Sequence, residues 1–241
     1  EFAAQYQQDP QPAGGGIFKP EWFYLLDEEP AFLATFITID TAETDKTYND
    51  ATVFSFWGLY HIKNESAETE VLGLHWIDCV ELHIEPKDLE TELRHFYTLA
   101  SRHQVKPSVI AIEKKSTGVM LLSLLKSWRG IEIREIQRTS QSGSKITRFL
   151  EIQPIIASQR VSLPRHGKHT ELCITHCKKI TANNTHRFDD IADTLYDGIK
   201  LGLIEQSILF QNQQRHEVNR VISKLSQHFQ KINQLSEERL W

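Results

Sequence analysis

The chain has 241 residues, 40% hydrophobic and 24% charged, with 27 Lys/Arg against 32 Asp/Glu and a net charge of −5. That is enough apolar material for one substantial α/β domain with extensions, and the acidic balance argues against a uniformly basic surface. No apolar run reaches the roughly 18 residues of a membrane span, there is no signal peptide, and an odd, low cysteine count (Cys79, Cys173, Cys177) suits a reducing compartment.

The chain opens Glu1-Phe2 and has one methionine, Met120, so a piece of a longer protein is expected. Residues 1–24 have the Gln, Pro and Gly content of a linker, with Trp22, Phe23 and Tyr24 able to dock it. FLATFITIDT (32–41) reads as a strand buried on both faces and ending in Asp40. A polar turn leads to ATVFSFWGLY (51–60) and a hairpin loop to TEVLGLHWID (69–78), giving a three-stranded antiparallel meander. Leu89, Leu93, Phe96, Tyr97 and Ala100 have helical spacing over 86–104, with Pro86 in the first turn. SVIAIE (108–113) is a fourth strand, parallel to the first through that helical crossover, and it ends in Glu113. Ser116-Thr117-Gly118 opens a helix with Met120, Leu121, Leu124 and Leu125 as its inner face, and IEIREI (131–136) is the fifth strand.

RTSQSGSK (138–145) is a polar, basic loop. ITRFLEIQPIIAS reads as a helix interrupted near Pro154, VSLP (161–164) as a short extended piece, and 169–180 as helical. Ile191, Ala192, Leu195, Ile199 and Leu203 mark one side of a helix from Asp189 to Leu203. This order predicts an α/β, ribonuclease H-like fold: a mixed five-stranded sheet, three meander strands plus parallel strands, flanked by helices. Residues 204–241 form a Gln-rich helical tail in which Val218, Ile222, Leu225, Phe229 and Ile232 hold heptad spacing for about two heptads. An amphipathic helix lying on its own domain suits that pattern at least as well as a coiled coil. The layout is therefore linker 1–24, domain 25–203 and tail 204–241.

Three sets of acids stand out: Asp40 and Glu113 at strand ends, and Asp189, Asp190 and Asp193 opening the last helix. A capping role suits Asp189 but does not account for the two strand-end acids. Separated carboxylates brought to one sheet edge repel unless cations neutralise them, and two Mg2+ or Mn2+ ions would do so while clamping a phosphodiester for attack by water. Residues 114–179 hold 13 Lys/Arg against 4 Asp/Glu, and the rest 14 against 28, a split that suits a polyanion-binding face or an ordinary surface with clustered charge. Arg138, Lys145 and Arg148 are the candidate phosphate contacts. Cys173, Cys177, His169 and His176 lack the spacing of a structural zinc site and read as buried thiols with neighbouring histidines.

Together these segments resemble the C-terminal nuclease domain of the tailed-bacteriophage terminase large subunit. AAQYQQDPQPAGGGIFKPEWF is similar to the segment joining that family's ATPase domain to its nuclease, FITIDTAETDKTYNDATVFSFWG to the first-acid motif, and AIEKKSTGVMLLSLL to the second. KITRFLEIQPIIASQRVSLP resembles the Lys…Arg element and HRFDDIADTLYDGI the Asp-Asp-x-x-Asp motif. The resemblance implies a metal-dependent endonuclease cutting concatemeric double-stranded DNA in the bacterial cytoplasm. Asp40, Glu113, Asp190 and Asp193 would be its catalytic metal ligands and Asp189 a candidate fifth. It implies as partners the ATPase domain of the same full-length chain, the portal protein and the small terminase subunit, with no membrane. No G-x-x-x-x-G-K-[ST] loop is present, and Phe188 stands where the family usually has His, with His186 two residues earlier. The alternatives are a non-catalytic or degenerate prophage domain that docks DNA or portal, and a resolvase-like nuclease.

Overall fold

The computed structural model describes residues 15–42, 51–62, 70–138, 143–182, 189–210 and residue 220. The strands are β1 (Tyr24–Leu26), β2 (Ala34–Asp40), β3 (Thr52–Ile62), β4 (Val71–Leu82), β5 (Pro107–Glu113), β6 (Glu132–Ile136) and β7 (Val161–Pro164). They form one sheet in the order β1-β7-β4-β3-β2-β5-β6. The helices are α1 (Leu89–Ala100), α2 (Ser116–Leu125), α3 (Lys145–Ala157), α4 (Thr170–Lys178) and α5 (Asp190–Ile199), which runs on into a π-helical turn, Lys200–Ile204. None of these is long and apolar enough to cross a membrane.

β2 is central, and all seven of its residues are buried, as an unbroken apolar run requires. It pairs antiparallel with β3 and parallel with β5, so the meander and the helical crossover stand as expected. The sheet has seven strands rather than five. β7 pairs in parallel with β4 through Leu74↔Val161, and β1 pairs in parallel with β7 through Tyr24↔Ser162. Strands of three and four residues are too short to show alternation, and the first lies in linker-like composition. Residues 15–23, read from composition as linker, also pack into the fold. Ile17 N–H donates to the Ile180 carbonyl at 2.7 Å, and Phe18, 1% exposed, sets its ring against Phe149 at 5.8 Å. Past the boundary drawn at 203, Ile208 is fully buried in the core and Ser207 accepts from Arg134 Nη1 at 2.8 Å. The heptad positions from Val218 onward lie outside the described residues.

Side chains alternate across the sheet, and the alternation sorts the two cores. Ala34 and Phe36 of β2, with Val109 and Ala111 of β5, face α3, α4 and α5. Ile37 and Ile39, with Ile110 and Ile112, face α1 and α2. Trp57 and Trp76 stack at 4.5 Å between ring centroids in the first core, and Gly198 of α5 lies so close that a Cβ there would sit 2.7 Å from the Trp57 ring. The absent side chain is what lets α5 reach the sheet. Trp57 Nε1 donates to Thr38 Oγ1 at 2.8 Å, and Thr38 Oγ1 donates to the Thr194 carbonyl at 3.2 Å, so buried polar groups fix helix to strand.

Two helical expectations are corrected. α3 runs through Pro154 without interruption; the bond the proline cannot make would have gone to the carbonyl of Leu150, a 47% exposed residue, where water can take it. On α2, Leu121 and Leu125 are buried, but Met120 and Leu124 are 38% and 42% exposed. Cys173 and Cys177 are fully buried free thiols.

Candidate active site

The same alternation that builds the core aims the acids. Asp40 continues the face of Phe36 and Thr38, and Glu113 continues that of Val109 and Ala111, so both carboxylates end their strands on the α5 side. They are each 2% exposed, and Asp193, on the first turn of α5, is 1% exposed. Gly118, whose Cβ would lie 2.1 Å from the Glu113 carbonyl oxygen, allows the start of α2 to close against that strand end.

Cations from the basic stretch interleave these acids. Lys115 Nζ is 3.2 Å from Glu113 and 4.0 Å from Asp40. Arg138 Nε is 2.9 Å from Glu113 Oε2, and its Nη2 lies 3.0 Å from Asp197 and 3.8 Å from Asp193. Lys145 Nζ bridges Asp189 at 2.5 Å and Asp193 at 2.6 Å, and Arg148 Nη2 donates to Asp193 Oδ1 at 3.0 Å. Lys145 and Arg148 sit one turn apart on α3, whose start is capped by Ser144 accepting from Thr147 N–H at 3.2 Å. Tyr196 O–H and Lys200 Nζ both donate to Glu151, at 2.8 and 2.6 Å, and lock α3 to α5.

The acids therefore meet different electrostatic surroundings. Burial, then the nearby charge of Asp193, pushes Asp40 well above the usual carboxylate range, with Lys115 only partly opposing them. Burial works the same way on Asp193, but Lys145, Arg138 and Arg148 outweigh it and hold that carboxyl below its ordinary value. Burial raises Asp197 to about 7 despite Arg138. Lys115 and Lys145 are displaced upward: burial opposes their charge and the surrounding acids overcome it.

Asp189 occupies the N-cap position of α5 but its side chain makes no cap bond; it takes the Lys145 contact instead. Asp190 adds its charge to the field that raises Asp40. His186 and Phe188 lie outside the described residues. Two participants had gone unassigned. Lys115 stands two residues after Glu113, and Asp197 stands four after Asp193, a spacing that puts both on one helix face.

A cavity of about 340 Å3 opens over the cluster, lined by Glu113 and Asp193 together with Lys114, Lys115, Arg138, Lys145 and Arg148. The carboxylates are hard oxygen donors of the kind Mg2+ and Mn2+ take. Glu113 Oε2 and Asp193 Oδ2 are buried and ion-paired yet have no aligned hydrogen-bond donor, which leaves them lone pairs for a cation. The donor set thus fits a divalent ion. Among the described residues, however, no three His, Cys, Asp or Glu side chains are grouped to hold one.

No protein-family model and no curated protein matches the chain. Solved structures do. The large terminase from a thermophilic bacteriophage is similar with a TM-score of 0.50 at 13% identity, over 79% of this chain and 46% of that one. The large terminase nuclease from thermophilic phage G20c, with bound zinc, gives 0.48 at 13% identity over 76% and 97%. The phage P22 large terminase nuclease domain gives 0.48 at 10% identity over 79% and 91%. This chain thus spans about half the length of the full large terminase. At such identities the likeness establishes the fold, which is the one the sequence resemblance implied: a mixed sheet with helices on both faces, as in a phage large terminase.

Proposed function

We propose that the chain is a metal-dependent endonuclease of a viral DNA-packaging terminase, cutting concatemeric double-stranded DNA. The observation that carries the reading is the convergence of Asp40, Glu113 and Asp193 on one sheet face, beneath a mouth lined by five cations and two acids. Asp40, Glu113, Asp193 and Asp190, with Asp189 as a further candidate, would hold two Mg2+ or Mn2+ ions. Those ions would supply Lewis-acid stabilisation of charge developing at a phosphodiester. The chain's own part is to bring the phosphate to the acids. Lys114, Lys115, Arg138, Lys145 and Arg148 line the mouth and would meet phosphates rather than bases. The corresponding partners are double-stranded DNA, an ATPase domain of the same longer chain, the portal protein and the small terminase subunit, in the bacterial cytoplasm. The test is supercoiled-plasmid nicking in Mn2+, Mg2+ or EDTA. Cleavage that requires the metal and disappears in Asp40→Asn is expected; metal-independent cleavage, or none in any metal, refutes it.

One observation favours a second reading, a non-catalytic DNA- or portal-docking domain: lysine and arginine already neutralise the acids. That reading predicts DNA binding indifferent to EDTA and no cleavage under any condition.

A further inference from the structure

Asp197 is the buried acid that the proposed chemistry leaves idle. It is 2% exposed, it does not line the mouth, and it accepts a hydrogen bond from Arg138 Nη2 at 3.0 Å. Arg138 itself does line the mouth. It stands two residues after the end of β6. An arginine so placed has long, freely rotating bonds, and its usefulness toward a phosphate depends on what holds it.

The structure holds it at three points. Nε meets Glu113, Nη2 meets Asp197, and the guanidinium carbon lies 5.6 Å from the centre of the Tyr196 ring. Tyr196 is in turn fixed through its hydroxyl to Glu151. Glu113 and Asp193 would change partners if a cation entered, so the bond to Asp197, one helical turn along α5 and in the lining of a neighbouring cavity of about 310 Å3 rather than of the mouth, is the one that persists. Among the described residues Nη1 takes no ion-pair or hydrogen-bond partner. A guanidinium bonded through Nη2 to Asp197, with the Glu113 charge beside Nε and the Tyr196 ring beside its plane, is held in place at the mouth, the condition under which arginine is effective at a phosphate oxygen.

We propose that Asp197 is a positioning residue, which anchors Arg138 so that its guanidinium is held at the mouth to meet a non-bridging oxygen of the DNA phosphate. The proposal rests on the nuclease reading for its catalytic consequence but not for the anchoring itself. Asp197 touches no substrate; it acts through Arg138, as outer-shell carboxylates act on the groups they orient.

Three variants test it: Asp197→Asn, which keeps the shape and removes the charge, Arg138→Ala, and the double variant. The first readout is independent of activity. In the metal-free protein the Nη–H resonances of Arg138, held through the Nη2 bond to Asp197, should be resolved and slow to exchange, and they should broaden or vanish in Asp197→Asn while the backbone spectrum is kept. The second is plasmid nicking in Mn2+. Asp197→Asn should lower kcat by ten- to a hundredfold with KM changed less than threefold, and it should cause no further loss in the Arg138→Ala background. Equal losses in both backgrounds, or an unaltered Arg138 resonance, would overturn the proposal. If the wild-type protein does not cleave DNA at all, the nuclease reading fails, and the resonance still decides whether Asp197 anchors Arg138.

Discussion

Asp40 and Asp193 should respond oppositely to the same isosteric change when no metal is present. Asp193→Asn removes the charge that Lys145, Arg148 and Arg138 share at 2.6, 3.0 and 3.8 Å. Breaking a buried ion cluster by deleting one partner costs about 3–5 kcal/mol, because the stranded cations keep their desolvation penalty. In a chain of this size about 1 kcal/mol moves the melting temperature by ~2–4 °C, so a fall of roughly 6–20 °C is expected. Asp40→Asn acts on a carboxylate whose one cation contact among the described residues is at 4.0 Å, and whose charge is opposed by burial and by Asp193. Removing that charge should therefore stabilise the protein. Both variants should lose Mn2+-dependent nicking. Urea and thermal unfolding in EDTA at neutral pH measure the pair directly. If the two variants shift stability in the same direction, the assignment of distinct surroundings to the two acids is wrong, whatever becomes of cleavage.

Three further outcomes are expected. Gly198→Ala sets a methyl 2.7 Å from a Trp57 ring that cannot retreat from Trp76, and should destabilise by about 1–3 kcal/mol in urea despite alanine's better helix propensity; wild-type stability would show that α5 does not pack as closely as described. Lys145→Ala should weaken binding alike on duplexes of unrelated sequence and reduce the slope of log K against log salt by about 1, whereas a loss confined to one sequence would contradict a backbone contact. His75, 1% exposed with Nδ1 2.8 Å from Ser162 Oγ, is held by burial at about 4, below its ordinary 6.5. The unfolded chain then binds the extra proton first, so stability is full above 6.5 and declines to about 4 by roughly 3 kcal/mol; His75→Gln should flatten that window, and an unchanged slope would refute it.

The parts of the fold that were legible are those whose pattern has only one solution. The apolar run of β2 cannot face water on either side, and the meander follows from three such runs with short polar links. α2 shows the opposite case. STGVMLLSLL is apolar all round, so periodicity cannot say which side is inner, and Met120 and Leu124 turn outward while Leu121 and Leu125 turn inward. β1 escapes notice, and β7 is legible only as the extended piece VSLP without its place in the sheet, because a strand of three or four residues has no period to read and because their pairing is parallel and between segments more than 130 residues apart. The face to which the acids belong was present in the sequence as parity. Asp40 is in step with Phe36, and Glu113 with Val109, once the two sides of the sheet are told apart.

The charge pattern misled in an instructive way. The excess of positive charge over residues 114–179 reads in sequence as a face for a polyanion or as an ordinary surface with clustered charge, and the acids as a separate cluster for cations, Mg2+ or Mn2+, to neutralise. Both readings treated the two sets as separate surfaces. In the fold, Lys115, Arg138, Lys145 and Arg148 come from that basic stretch and sit between acids contributed by β2, β5 and α5. A linear count cannot reveal this, because the pairing spans strand ends and helix starts far apart in sequence. The consequence for the proposed function is that a metal ion would compete with these lysines and arginines for the same carboxylates. A divalent ion held by Glu113 and Asp193 would free lysine and arginine from them, and those groups line the mouth. Metal loading should then strengthen DNA binding. Duplex affinity measured in Ca2+ against EDTA, at equal ionic strength, should rise several-fold in the wild-type protein and stay level in Asp193→Asn; affinity indifferent to the ion would mean that the acids and the phosphate contacts are not linked.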